Sequence, residues 1–214
     1  MNDVTGHYNK DYFSWQKEIG EFGGQTNLFY FKDFISPTDH VIDFGCGGGY
    51  LLANLHCREK FGIDINKNAR ETAQQNGIKV VRSIDAIKDE WADVIISSQV
   101  LEHTVSPYDE LRKLYPKLKK GGRIIFVIPH EIRNKYRTGD RNRHLYTWSP
   151  MCAGNLFTAA GYDVEKVETI KYRWPPGYSK IKKYFGNLIF DALCGIYARV
   201  RGDWYNVRVV ARKP

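Results

Sequence analysis

The sequence predicts an α/β fold, with helices on both faces of a mostly parallel sheet. Strand-like and helix-like patterns alternate from residue 40 onward, which is typical of this fold class. The middle of segment 93–97 is continuously apolar, as expected for a strand that is covered on both faces. A glycine-rich turn joins the first strand to the first helix of this series.

Turn and capping residues delimit the first half of the sheet. Asp43 and glycines 45, 47 and 49 end the first strand, and an apolar helical period follows them. Asn66 is a favoured N-cap residue and Gly77 a favoured helix end. The predicted order is strand 40–44, helix 50–55, strand 60–65, helix 67–76 and strand 78–82.

Prolines and glycines delimit the second half. Pro107 and Pro150 suit the first turn of a helix, and the pair Gly121-Gly122 and Gly161 suit helix ends. The polar, basic segment 130–143 has no period and predicts a loop. The predicted order is strand 93–97, helix 108–118, strand 123–128, helix 147–160, strand 162–170 and strand 204–212.

Two aromatic or apolar segments lie outside this alternation. Segment 8–34 is rich in Tyr, Phe and Trp, and we expect it to pack across the sheet or to line a substrate pocket. Segment 171–203 carries apolar residues on one helical face, and packing on the sheet is the favoured interpretation. A lid, a dimer surface or a membrane-surface helix remains an alternative, since three lysines stand at 180, 182 and 183.

The glycine-rich turn at residues 45–49 predicts close contact between backbone and ligand, because glycine has no Cβ and tolerates positive φ. Dinucleotide-binding turns have the pattern G-x-G-x-x-G. Here Tyr50 or Leu52 stands at the third glycine position, depending on the register. The turn therefore argues against a dinucleotide-dependent oxidoreductase.

Four blocks occur in the order of one known family. They are residues 41–50 with Asp-x-Gly-x-Gly-x-Gly, residues 61–65 with Phe-Gly-Ile-Asp-Ile, residues 97–103 with Ser-Ser-Gln-Val-Leu-Glu-His, and residues 114–129 with Leu-Lys-x-Gly-Gly. This series resembles the class I S-adenosylmethionine (SAM)-dependent methyltransferases, particularly the small-molecule branch. The resemblance is close over residues 40–130.

The resemblance implies a Rossmann-like, seven-stranded sheet whose last strand is antiparallel. It implies one methyltransferase domain over residues 1–214. Within it, 1–39 form an aromatic helical segment, 40–170 and 204–213 the core, and 171–203 a helical insertion. The ligand is expected beyond the carboxyl ends of the central strands.

The resemblance also implies which residues bind SAM and its product S-adenosyl-L-homocysteine (SAH). Asp64 would hold the ribose hydroxyls, Asp43 the ammonium end, and Asp85 the adenine amino group, although Asp85 also suits a helix cap. The full expected set is Asp43, Gly45, Cys46, Gly47, Asp64, Ile65, Asp85 and Gln99.

Methyl transfer to a hydroxyl requires in-line geometry and removal of a proton. His144, followed by His130, is the predicted base; a structural role is the alternative for either histidine. Arginines in the same region could bind an anionic acceptor, such as a nucleotide-linked sugar, a glycan intermediate or an acidic metabolite. The candidates are Arg133, Arg137, Arg141 and Arg143, and a solvated loop is the alternative.

Composition narrows the classes of protein. The net charge of +8 favours an acidic partner. A basic surface with no specific partner is the alternative explanation. The four cysteines form no C-x-x-C pair and the histidines are dispersed, so no metal site is expected. Without an apolar leader or a run of about 20 apolar residues, a reduced cytoplasmic location is expected.

Two further functions remain open at this point. A nucleic-acid methyltransferase fits the basic charge, but no appended RNA-binding module is evident and the segment after the fourth strand begins Ser-Ser-Gln-Val. A non-catalytic protein that retains the fold and binds SAM is the second, since fold alone does not establish chemistry.

Overall fold

A computed structural model describes residues 10–132 and 135–214, with the backbone alone for residues 10–16. Seven strands form one sheet: β1 His40–Phe44, β2 Glu59–Ile63, β3 Lys79–Val81, β4 Ala92–Ser98, β5 Leu118–Glu131, β6 Asp163–Ile170 and β7 Trp204–Arg212. Within the described residues, the α-helices that accompany it are α1 Lys10–Thr26, α2 Tyr50–Asn54, α3 Lys67–Gln75, α4 Pro107–Leu114, α5 Pro150–Ala159 and α6 Tyr178–Arg201.

The sheet has the strand order β3-β2-β1-β4-β5-β7-β6. Strands β1 to β5 pair in parallel, and β7 is antiparallel to both β5 and β6. The predicted fold class is therefore confirmed, including the antiparallel last strand. Because the chain reverses its direction of winding at β1 and β4, the carboxyl ends of these strands border a crevice where α/β proteins bind ligands.

Side chains that alternate along the central strands form two cores. On one face Ile42, Ile95 and Phe126 pack with α4 and α5; on the other, Val41 and Ile96 pack with residues of α2 and α3. All five of these side chains are at most 1% exposed. Burial on both faces explains the continuous apolar runs, since alternating polar residues would lose hydration.

The segment after α1 packs on the second core. Tyr30 and Phe31 are buried there, and Arg208 of β7 donates to the Tyr30 carbonyl oxygen at 2.9 Å. The Tyr30 hydroxyl also accepts a hydrogen bond from Asn206. The sequence predicted that the aromatic segment either packs across the sheet or lines a pocket, and Tyr30 and Phe31 pack on the sheet.

Helix α1 lies directly against α2 through glycine. A Cβ at Gly24 would stand 2.6–2.7 Å from Tyr50, including its backbone carbonyl group. Side chains larger than hydrogen are therefore excluded at Gly24 unless the helices separate. This contact brings α1 over the glycine-rich turn that precedes α2.

Helix α6 exposes much of the apolar face that the sequence predicts. Phe190, Cys194 and Ala198 are buried, so only this part packs inward. At Gly186 the backbone is non-helical, with φ 74° and ψ 178°, and the helix is kinked there. The exposed large side chains of α6 are Tyr184, Phe185, Leu188, Ile189, Leu193, Ile196 and Val200. Packing on the sheet, the favoured interpretation, was therefore wrong for most of this face.

Two further differences concern element boundaries. The strand predicted at 123–128 begins at Leu118 and continues to Glu131. Gly121-Gly122 does not end a helix; it lies within β5, where the register with β4 shifts between Ala92 and Val94, and glycine accommodates such bulges. Among the helices that the structure describes, none has both the length and the apolar character needed to span a lipid bilayer.

Candidate functional site

A cavity of about 760 Å³ lies at the carboxyl ends of β1, β2 and β4. Helix α1 and Trp174 border it on one side, and the segment after β4 borders it on the other. Cavities of this size at such a position commonly bind cofactors. The cavity therefore defines the candidate functional site.

The glycine turn forms the floor of this cavity. Gly45, Gly47 and Gly49 all have positive φ, between 54° and 78°. A Cβ at Gly45 would lie 2.2 Å from Val100 Cγ2, whereas a Cβ at Gly47 would meet nothing within 4 Å. Glycine is therefore required at position 45 by both the positive φ and the contact with Val100. At Gly47 the absence of a side chain leaves the backbone accessible to a ligand.

Asp64 joins the glycine turn to the end of β2. Its carboxylate accepts hydrogen bonds from the backbone N–H of Gly47 at 2.9 Å and of Asn66 at 2.8 Å. Asn66 in turn caps α3, its side-chain oxygen accepting from the N–H of Asn68 and Ala69. Since a carboxylate has about four acceptor positions, Asp64 retains capacity for ligand hydroxyl groups.

A second carboxyl group, that of Asp43, lies with Asp64 at the inner end of the cavity. Its side chain is 3% exposed, and burial, with Asp64 as a second contribution, raises its pKa to about 8. Burial also raises the pKa of Asp64, although its two backbone hydrogen bonds oppose this. A cationic ligand group would relieve the repulsion between these two carboxylates.

All eight residues expected to bind the cofactor line this one cavity. Asp43, Gly45, Cys46 and Gly47 lie on the floor, Asp64 and Ile65 follow β2, Asp85 follows β3, and Gln99 follows β4. Asp85 also accepts a hydrogen bond from the Ser83 hydroxyl at 2.7 Å. Gln99 donates through its amide to Asn206 at 3.1 Å and has a positive φ of 57°.

The two predicted bases lie outside the lining of this cavity. His130 is in β5, and its ring stacks on Tyr205 with 6.5 Å between centroids. His144 Nδ1 lies 3.1 Å from the Glu131 carboxylate, and the hydrogen bond to Glu131 and the nearby Glu102 raise its pKa against the opposing effect of burial. His103, which does line the cavity, has its ring 4.8 Å from that of His144.

The three predicted arginines that the structure describes do not line the cavity either. Arg137, Arg141 and Arg143 are exposed, and the backbone N–H of Arg143 donates to Asp140. Arg133 lies outside the described residues. The segment that follows them returns to the site, because the N–H of Leu145 donates to the Glu102 carbonyl oxygen at 2.8 Å.

Helix α1 lines the cavity through residues other than the aromatic ones that the sequence indicated for segment 8–34. Gly20, Gly23, Gly24 and Asn27 line the cavity, as does Trp174. The ring of Trp174 lies 3.3 Å from where a Cβ of Gly23 would stand. The three glycines of this helix could have indicated this role from the sequence. Glycine destabilises the interior of a helix, so three of them in one helix indicate a close approach by another group.

A second feature that the sequence did not predict is a cluster of metal-ligand types. Glu102, His103 and His144 each offer one ligand atom, and these atoms all lie within 4.8 Å of one another. Glu102 is fully buried, and neither carboxylate oxygen has a hydrogen-bond partner. The expectation of no metal site rested on spacing along the chain, and the fold joins residues that are distant in sequence.

Comparison with known proteins identifies the relatives of this chain. Residues 19–167 match the family model described as a methyltransferase domain. The chain is 26% identical over 153 residues to a ubiquinone biosynthesis O-methyltransferase of Rickettsia prowazekii, covering 62% of this chain and 61% of that protein. The chain thus spans about three fifths of this curated relative.

Solved structures share the fold at low sequence identity. A SAM-dependent methyltransferase of Thermotoga maritima, described as a possible histamine N-methyltransferase, superposes with a TM-score of 0.67 at 16% identity and full coverage of both chains. Geranyl diphosphate C-methyltransferase of Streptomyces coelicolor has a TM-score of 0.63 at 14% identity, over 89% of this chain and 77% of that one.

The raised pKa of Asp43 predicts how stability depends on pH. Between the ordinary pKa of 3.8 and the folded value of about 8, the folded chain holds more protons on Asp43 than the unfolded chain does. The free energy of unfolding therefore falls as the pH rises through this range. Asp43→Asn removes this titration. As the pH rises, the free energy of unfolding of the variant should therefore fall less steeply than that of the wild type, by up to about 1.4 kcal/mol per pH unit.

Urea unfolding at about pH 5 and about pH 7 measures this difference, and Asp33→Asn, at an exposed carboxylate, is the control. We expect the control to keep the wild-type slope. Equal slopes for wild type and Asp43→Asn would contradict the assignment.

Proposed function

The chain belongs to the methyltransferase-domain family, and we propose that it transfers a methyl group from SAM to oxygen on a small-molecule acceptor that carries an anionic group. The family predicted from the sequence is thus confirmed by the match over residues 19–167. The pair of buried carboxyl groups at the inner end of the cavity, Asp43 and Asp64, is the observation that carries the proposal of SAM as methyl donor.

Charge favours SAM over a dinucleotide in this cavity. Asp43 and Asp64 lie together at its inner end. SAM brings a sulfonium and an ammonium group, which favour the ionised form of these two carboxyl groups and are then attracted by it, whereas the pyrophosphate of a dinucleotide gains no such attraction here. In this proposal Asp64 holds the ribose hydroxyls, Gly45 to Gly47 contact the methionine part, and Ile65 and Asp85 contact the adenine.

Methyl transfer itself needs little from the protein beyond alignment. The acceptor oxygen attacks the methyl carbon as the bond to sulfur breaks, and sulfur leaves as the neutral thioether of SAH. A hydroxyl acceptor must also lose its proton. Of the two histidines predicted for this role, we favour His144 over His130, because Glu131 orients its ring and His103 links it to the cavity.

The binding proposal is tested by Asp64→Asn. The variant keeps the shape of the side chain but loses the charge that receives the ribose hydroxyls, so affinity for SAM and SAH should fall by about 10- to 100-fold. Isothermal titration calorimetry measures this, with Asp33→Asn as control and NAD as the competing ligand. No heat with either SAM or SAH on folded wild-type protein would refute the proposal.

The anionic acceptor is supported by the basic loop that precedes His144. Arg137, Arg141 and Arg143 are exposed, and arginine binds phosphate or carboxylate in a bidentate fork. The geranyl diphosphate C-methyltransferase that shares the fold also acts, by its name, on an anionic molecule. A nucleotide-linked sugar, a glycan intermediate or a hydroxy acid fits this requirement.

Replacing Arg137 and Arg141 together by glutamine should raise KM for anionic acceptors by roughly fivefold or more and change kcat little, because these cations are proposed to bind the acceptor and not the reacting atoms. SAH release from a panel of anionic and neutral hydroxyl compounds measures this. The control, Arg58→Gln with Lys67→Gln, removes the same charge at exposed positions outside the basic loop. Turnover on generic RNA, with steep salt dependence, would favour the nucleic-acid alternative instead.

We also propose that α6 contacts an anionic membrane surface. Leu188 is 85% and Val200 78% exposed, and they belong to the exposed apolar face of this helix. Exposed basic residues stand toward both ends, with Lys180 and Lys183 at one and Arg199 and Arg201 at the other. An apolar face flanked by basic residues, in a chain of net charge +8, matches the acyl boundary and headgroups of anionic lipid.

Leu188→Asp should reduce binding to vesicles that contain phosphatidylglycerol, because an aspartate there meets both the apolar layer and the anionic headgroups. Vesicle flotation measures binding, and Met151→Asp, at a residue of α5 that is 73% exposed, is the matched control. Wild-type binding that is equal on neutral vesicles, or a dimer in solution that Leu188→Asp dissociates, would overturn the membrane assignment.

A further inference from the structure

The buried carboxylate of Glu102 has no hydrogen bond to satisfy it. Its side chain is 0% exposed, and both of its oxygens are without a hydrogen-bond partner. Leaving a buried carboxyl group in this state costs free energy unless a cation or a donor compensates, so the group needs an explanation.

The side chains around Glu102 are those of a metal site. His103 Nε2 lies 4.0 Å from Glu102 Oε1, and the side chains of His103 and His144 are only 13% and 12% exposed. Ligand atoms that bind one first-row ion at about 2.0–2.2 Å lie about 3–3.5 Å from one another. The three ligand atoms here lie within 4.8 Å of one another. Small side-chain rotations that move each atom by little more than about 1 Å would therefore bring them to metal-binding distance.

Backbone and carboxylate contacts orient this cluster in advance. The Leu145 N–H bond to the Glu102 carbonyl holds His144 beside the short helix Leu101–His103. The Tyr146 hydroxyl donates to the Val105 carbonyl oxygen at 2.9 Å and fixes the same pair of segments. Glu131 binds His144 Nδ1, which leaves Nε2 for a ligand role, in the carboxylate–histidine–metal arrangement of many metal sites.

We propose that Glu102, His103 and His144 bind a divalent first-row transition metal, with Zn²⁺ as the best fit, and that this ion binds the acceptor oxygen. Two imidazoles and one carboxylate suit Zn²⁺ and its neighbours, whereas Mg²⁺ and Ca²⁺ prefer oxygen ligands. Because His103 lines the cavity, an ion held by these three residues would stand at the edge of the cavity, within reach of an acceptor bound there.

This inference rests on the proposed methyl transfer and specifies its acceptor. A bound ion would lower the pKa of a coordinated hydroxyl, so the hydroxyl would lose its proton to water, and His144, the favoured base when no metal is bound, would serve as a ligand. The deprotonated acceptor oxygen would attack the SAM methyl carbon, and the electron pair of the breaking carbon–sulfur bond would go to sulfur. Acceptors with two adjacent oxygens, such as vicinal diols or hydroxy acids, chelate such an ion best.

The test is metal binding by the full chain, freed of any affinity tag. The background carries Cys152→Ser, because an exposed thiol also binds zinc. Titration with Zn²⁺ should show one ion per chain, and Co²⁺ should give the visible absorption of a site with nitrogen ligands. Glu102→Gln and His144→Gln should each weaken binding by about 100-fold, and Glu131→Gln by about tenfold.

The matched control is His56→Gln, which removes an exposed histidine outside the cluster and should leave binding unchanged. SAH binding and thermal unfolding of each variant establish that the fold and the cofactor site persist. Wild-type protein that binds SAH but no Zn²⁺ or Co²⁺, or metal binding that all variants retain, would overturn the metal site and leave the methyltransferase proposal intact. Folded wild-type protein that does not bind SAH would instead refute the proposed function itself.

Discussion

The hydrogen bonds that the Asp64 carboxylate accepts from Gly47 and Asn66 hold the site together. They join the turn after β1 to the segment after β2, so two loops at the carboxyl edge of the sheet become one surface. Gly45 adds the contact with Val100, which brings the segment after β4 into the same arrangement. Because these contacts are made between groups of the protein itself, they fix the floor of the cavity, and less ordering entropy is lost when a ligand enters.

Charge is separated across the molecule in a way that suits a cationic donor and an anionic acceptor. Two carboxylates, Asp43 and Asp64, stand at the inner end of the cavity, while the exposed arginines lie in the loop between β5 and α5. Each substrate would thus meet the opposite charge on its own side. The Glu102 cluster lies between these regions, since His103 borders the cavity and His144 ends the basic loop.

Local chemistry explains which parts of this arrangement could be predicted from the sequence. The Asn66 cap and the glycine turn are set by neighbouring residues, and the motifs containing Asp64 and Asp85 led to a cofactor set that the fold gathers around one cavity. The approach of Glu102 to His144 could not be predicted in this way, because it depends on how a long loop returns to the sheet. Likewise the periodicity of α6 indicated an apolar face, but periodicity does not say what covers that face.

The contact between Gly24 and Tyr50 has an evolutionary consequence. A Cβ at Gly24 would meet the backbone carbonyl of Tyr50 as well as its side chain, so no substitution at position 50 makes room for a larger residue in α1. A bulkier residue at Gly24 therefore moves α1 away from α2 and opens the cavity to solvent. In homologues in which α1 covers the glycine turn, glycine should therefore be retained at this position.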